Sequence, residues 1–136
     1  MSIIINIMQE VNIICKNNKN IYMNREYIKY SNVMKAFFED KDYEEEENDE
    51  NNLELKHVDS EMMNLIISIC KLRENNTKID SFIDKLSIEN KFNLLSICHY
   101  LDIEFIENRV YNIIIKILKN KSKDELEKLF DIKLYI

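Results

Sequence analysis

The side chains able to do covalent or metal chemistry in this chain are few, and their spacing works against it. Cys98 and His99 are adjacent. On a helix, neighbours project roughly 100° apart, so the two cannot readily share one metal ion. Cys70 and His57 show no ligand spacing either, and the three cysteines, Cys15, Cys70 and Cys98, form no pattern. No carboxylate pair, Ser/His pair or Cys/His pair sits in a sequence context that favours catalysis. The chain also contains no glycine. A phosphate-cradling loop, a dinucleotide-binding turn and a Gly-x-Ser-x-Gly nucleophile elbow all need glycine, so these enzyme classes are excluded. The expectation is therefore no catalysis, no cofactor and no metal site. The cysteines read as buried, reduced thiols of an intracellular protein, cytoplasmic or nuclear.

The chemistry that remains is recognition of other proteins. A helix over Ile88–Leu101 gathers Leu94, Leu95, Ile97, Cys98 and Leu101 on one broad apolar face. Glu89, Asn93, Ser96 and Tyr100 line the opposite side, which places a large aromatic ring on an otherwise polar stripe. An exposed Tyr is a favoured interface anchor, since it buries much area at little entropic cost. The competing reading is that Tyr100 packs against a neighbouring loop of its own chain. A second helix over residues 103–118 places Ile103, Ile106, Val110, Ile113, Ile114 and Ile117 on a core face. Tyr111, Ile115 and Leu118 widen its apolar arc to roughly 200°, about twice the usual stripe. Such width calls for burial on two sides, the second covered by a partner or by Leu126, Leu129 and Phe130 of the chain itself.

The elements that must position these residues can be read in order. At 136 residues the chain fits one domain with a real core, and 46% hydrophobic and 32% charged residues are ordinary globular values. Without glycine or proline, turns fall to Asn, which tolerates positive φ. Residues 11–16 and Asn20–Asn24 read as a β-hairpin around such a turn. A brief helix through Lys29 follows, then a second over residues 32–38 capped by Ser31. Residues 39–52 are acidic and nearly devoid of apolar side chains, which predicts a loop. Residues 53–58 alternate like a half-buried strand. Asp59 caps a helix to about Arg73, residues 75–81 read as loop and residues 82–86 as a short extended or single-turn piece. Ser87 caps the helix that carries Tyr100, Asp102 caps the next one, and Ser122 with Glu125 forms a capping box for Lys123–Phe130. Strands in the first half and helices in the second make the class α+β, a small sheet flanked by helical hairpins.

A net charge of -6 argues against a nucleic-acid partner. No run approaches the roughly 18 apolar residues that span a bilayer, so no membrane partner is expected. Residues 2–8 are apolar but lack a basic flank and a cleavage site, which argues against secretion.

Two blocks carry a family resemblance. Cys98-His-Tyr-Leu-Asp-Ile103 resembles the Ala-Asn-Tyr-Leu-Asp-Ile corner of the Skp family of cullin–F-box adaptors, built on the BTB/POZ fold. Lys121-Ser-Lys-Asp-Glu-Leu-Glu-Lys-Leu-Phe-Asp-Ile132 resembles that family's Lys-x-Pro-Glu-Glu-Ile-Arg-Lys-x-Phe-Asn-Ile segment. Glu26-Tyr-Ile-Lys-Tyr-Ser-Asn-Val-Met-Lys-Ala-Phe-Phe-Glu39 is similar to its two short helices, and the likeness covers about residues 11–132. His99 stands at the family's Asn and Lys123 at its Pro.

The resemblance implies a BTB/POZ-like core over residues 1–119, with an N-terminal extension, and a shortened F-box-side extension over 120–136. It implies a non-catalytic adaptor joining a cullin to an F-box substrate receptor in a ubiquitin ligase, in a host cell if the chain is of viral or parasite origin. His99 and Tyr100 would face the cullin, with the acidic loop flanking them. Ile106, Val110, Ile114, Leu126, Leu129 and Phe130 would face the F-box. Two alternatives stay open: a truncated competitor that binds the cullin alone, and a homodimeric structural module that exchanges residues 2–8.

Overall fold

The structure is a computed structural model that describes residues 10–41, 52–73 and 75–130. Residues 1–9, the acidic segment past Lys41 and residues 131–136 fall outside that description, as does the Phe130 side chain.

Strands β1 (Glu10–Ile14) and β2 (Asn20–Asn24) pair antiparallel, with Val11 opposite Met23 and Ile13 opposite Ile21. The expected Asn turn joins them. Asn17 and Asn18 take φ of 63° and 58°, the left-handed conformation that Asn reaches at little cost, and Cys15 N–H closes onto Lys19 O at 2.7 Å. Strand β3 (Asn52–Glu54) lies parallel to β1, giving the order β2-β1-β3. The alternation buries Val11, Ile13, Met23 and Leu53 on one face.

β3 is shorter than the strand expected over residues 53–58. Its partner β1 ends at Ile14, which takes one more bond from Leu55 N–H (2.8 Å). Beyond that point no strand is left to pair with. The chain turns instead, Val58 N–H bonding Leu55 O and Val58 O accepting from Lys16 N–H.

Several helices begin at the expected caps. A 3-10 helix (Arg25–Tyr30) starts where Asn24 Oδ1 accepts from Glu26 N–H, and α1 (Asn32–Lys41) where Ser31 Oγ accepts from Met34 N–H. α1 thus carries Glu39 and Asp40, assigned to the loop by their charge, a further turn along the helix. Asp59 caps α2 (Ser60–Lys71), whose Met63, Ile66 and Ile69 are fully buried. α2 stops before Arg73 because Leu72 and Arg73 N–H fold back onto Ile69 and Cys70 carbonyls.

The segment expected as loop and single turn is instead α3 (Asn76–Asp84). Asn75 caps it through Lys78 N–H, and Ile79 and Ile83 anchor it four residues apart on one face. Burying two isoleucines at about 2 kcal/mol each holds a helix whose remaining residues are mostly polar. α4 (Ile88–Leu101) starts at Ser87, and α5 (Glu104–Lys119) follows one sharp corner later. α6 (Lys123–Phe130) opens with the reciprocal capping box, Ser122 and Glu125 each bonding the other's backbone N–H at 3.2 Å.

The architecture is α+β. One core draws side chains from Val11 on β1 to Ile114 on α5. Among the described residues, no helix is long and apolar enough to cross a membrane.

Candidate docking site

The corner between α4 and α5 is built by hydrogen bonds, and it differs from the expected one. Asp102 does not cap α5. It closes α4 from the left-handed conformation (φ 54°, ψ 57°), and α5 begins after Ile103 without a side-chain cap. Ile103 N–H bonds Cys98 O at 2.8 Å and Asp102 N–H bonds His99 O at 3.2 Å. These are the two bonds of a Schellman motif, in which Gly or Asn usually takes the left-handed place. Ile103, the next residue, is buried and seals the apolar side of the turn.

The start of α1 holds this corner from across the molecule. Ser31 Oγ donates to Leu101 O at 2.5 Å while accepting from Met34 N–H, and Ser31 is wholly buried. Asn32 Nδ2 donates to Asp102 Oδ2 at 2.8 Å, and Asn32 N–H to Asp102 O at 3.2 Å. The carboxylate expected to cap α5 is thus spent on α1. The left-handed backbone sets a test. Asp102→Gly gives up the Asn32 contact but removes the Cβ penalty, whereas Asp102→Val adds a β-branched clash worth about 2 kcal/mol. In urea denaturation the valine variant is expected to be less stable than the glycine variant by about that amount; equal stabilities would contradict the left-handed assignment.

Tyr100 lies on the outer face just before the corner and is 49% exposed. One edge meets His57, on the turn after β3, with ring centroids 4.6 Å apart and planes at 82°. Tyr100 thus leans on a neighbouring turn of its own chain and still presents about half its surface. His99 is exposed, and its Nδ1 lies 2.7 Å from Glu107 Oε2, bridging α4 to the first turn of α5. Glu107 and Glu104 also suit that position, since carboxylates complement a helix N-terminus.

Below Tyr100 the polar stripe of α4 is not a plain solvated face. Glu89, Asn93 and Ser96 form one wall of a cleft of about 400 Å³ whose other wall is His57, Asp59 and Glu61. Periodicity identified the stripe but could not show what stands opposite it.

On α5 the assignment to a partner needs correction. Ile106, Val110 and Ile114 are 0%, 0% and 3% exposed and belong to the chain's own core, so they have no surface to give a partner. The flank of the same arc remains open: Tyr111 is 54% exposed, with Ile115 and Leu118 half-buried. Leu126 and Leu129 on α6 are half-buried as well. Helical spacing puts this row on the core face; the family resemblance alone turns it toward a partner.

The cysteines are buried, as expected of them. Burial pushes the Cys70 thiol up to about 12 against a lesser pull from Arg73. Burial first, then Cys70 and Glu107, raises Cys98 further, and burial with Asp59 raises Cys15. Thiols held protonated and out of solvent pack as small apolar groups. Among the described residues, no three His, Cys, Asp or Glu side chains converge on a point that could hold a metal ion.

No protein-family model matches this chain, and no curated protein matches it in sequence.

Proposed function

We propose that this protein is a non-catalytic adaptor of the Skp type on a BTB/POZ-like fold, carrying a cullin on its α4–α5 corner and an F-box segment on the outer flank of α5 with α6. The supporting observation is the corner itself. A half-open tyrosine stands beside a turn fixed by hydrogen bonds to α1, so an aromatic anchor is presented with little freedom left to lose on binding. The element order is also the one such a fold needs: hairpin, two short helices, a strand returning parallel to the first, then paired helices.

On this reading Tyr100, with His99 and His57 beside it, meets the cullin. Tyr111, Ile115, Leu118, Leu126 and Leu129 meet the F-box, in place of the buried row first assigned to it. The work done is positional: two partners held on one small body gain effective concentration toward each other, with no bond made or broken here.

Calorimetry with a purified cullin N-terminal region tests the proposal. Binding is expected, and Tyr100→Ala should cost about 2 kcal/mol, a roughly thirtyfold loss of affinity. No heat of binding, or an unchanged affinity in the variant, would remove the corner from consideration. Adding an F-box peptide then separates a full adaptor, which forms a ternary complex, from a cullin-only competitor.

A further inference from the structure

The cleft beside Tyr100 carries a charge that its surroundings leave unanswered. Asp59 and Glu61 stand on one wall and Glu89 on the other, and among the described residues no lysine or arginine lines it. Nor does any of these carboxylates join an ion pair among the described residues. Each lies at a helix start: Asp59 caps α2, Glu61 is in its first turn, and Glu89 is in the first turn of α4. Helix dipoles therefore account for part of the charge. A helix N-terminus carries roughly half a positive charge, so the two offset about one negative charge and leave about two. That remainder faces a cleft of about 400 Å³ between two separate elements.

The geometry narrows the cation. Among the described residues, no three His, Cys, Asp or Glu side chains close on one point, which argues against a metal ion. Carboxylates spread over two walls suit a planar guanidinium, whose five N–H donors in a fixed fork reach acceptors on both, better than a compact ammonium. Asn93 and Ser96 add neutral acceptors on the α4 wall, and the half-buried Ile97 gives an aliphatic stem a surface to lie on.

We propose that this cleft receives an arginine side chain from a basic segment of a partner protein, its guanidinium set between Glu89 and the wall of Asp59 and Glu61. His57 lines the cleft and meets Tyr100, so a segment seated here lies against the aromatic anchor. The charged side chains around the cleft are exposed, so the arginine supplies register and encounter rate more than affinity. The charge selects this occupant whether or not the partner is a cullin.

Amide NMR spectra of the full chain, titrated with a short blocked peptide carrying one arginine among alanines, test the proposal. Saturable shifts are expected at residues 57–61 and 89–97, weakening as salt is raised. The same peptide with citrulline, a neutral isostere of arginine, should give none there, and one with lysine should bind several-fold more weakly. Glu61→Gln with Glu89→Gln, at two exposed positions, should weaken arginine binding by about tenfold or more, the rest of the spectrum staying in place as proof of folding. Asp59 is left intact because it caps α2. Equal binding of the citrulline or the lysine peptide would overturn the proposal, as would an affinity that the double variant leaves unchanged. Shifts gathered on the acidic run at residues 44–50 in place of the cleft would also overturn it, and so would no saturable shift at all. The cullin calorimetry is read separately, so failure of either assignment leaves the other to be decided by its own measurement.

Discussion

Replacing Lys91 with methionine is expected to lower the unfolding free energy by about 2–3 kcal/mol. Lys91 is on α4 but only 4% exposed, and its ammonium donates to Asp84 O at 3.0 Å and Leu86 O at 2.5 Å. Those carbonyls belong to the last residue of α3 and to the turn that follows it, where the helix has no amide left to satisfy them. A cation there also complements the negative end of the helix dipole. Methionine keeps nearly the same stem and volume but removes every donor, so the loss reports the hydrogen bonds rather than a cavity. Arginine should not restore the native value, because a planar fork does not fit a site shaped for one tetrahedral ammonium. In urea the midpoint should fall with little change in slope, and in a thermal scan the transition should drop by about 8 °C. A loss below about 1 kcal/mol would mean that water reaches both carbonyls once the ammonium is gone.

Lys91 also shows where sequence reading stops. Helix starts were legible because a cap is a local event: Ser31, Asp59, Ser87 and the Ser122–Glu125 pair act within three residues of themselves. α3 escaped because its helix rests on Ile79 and Ile83 together with packing from elsewhere, and two apolar residues do not make a readable period. With α3 unread, its orphan carbonyls could not be assigned a lysine, and nothing local in the sequence singles out Lys91. Asp102 failed in another way. Asp serves equally as the first residue before a helix or as a left-handed residue after one, and the choice is made by Asn32, seventy positions away.

The candidate docking face was half legible for a related reason. Helical spacing put Tyr100 on the outer side of α4, where the structure has it. His57 came to its edge through the path of the chain after β3, which no local pattern specifies. On α5, spacing named the inward row correctly, and only the family resemblance turned it toward a partner. Ile106, Val110 and Ile114 went to the core, and Tyr111, Ile115 and Leu118 were left along its edge.

Ser31→Ala carries the other large effect, because one hydroxyl serves two elements. Its Oγ accepts from Met34 N–H to cap α1 and donates to Leu101 O to hold the corner, in a site closed to water. Losing a Ser cap costs about 1 kcal/mol, and leaving a buried carbonyl without its donor costs about 1–3 kcal/mol more, so a total of about 2–4 kcal/mol is expected. Asn32→Ala, at an exposed position, should cost about 1 kcal/mol or less, since water can replace the amide at the Asp102 carboxylate. The two sites share the corner, so a cycle of Ser31→Ala with Asp102→Gly should be non-additive by at least about 0.5 kcal/mol. Independent effects would mean the corner keeps its shape without α1. Because Tyr100 stands one residue before Leu101, a corner loosened by Ser31→Ala should also weaken the proposed cullin binding at temperatures where the variant remains folded. Distortion of that kind would then separate from simple instability: Lys91→Met, comparably destabilised but far from the corner's hydrogen bonds, should bind like the native chain.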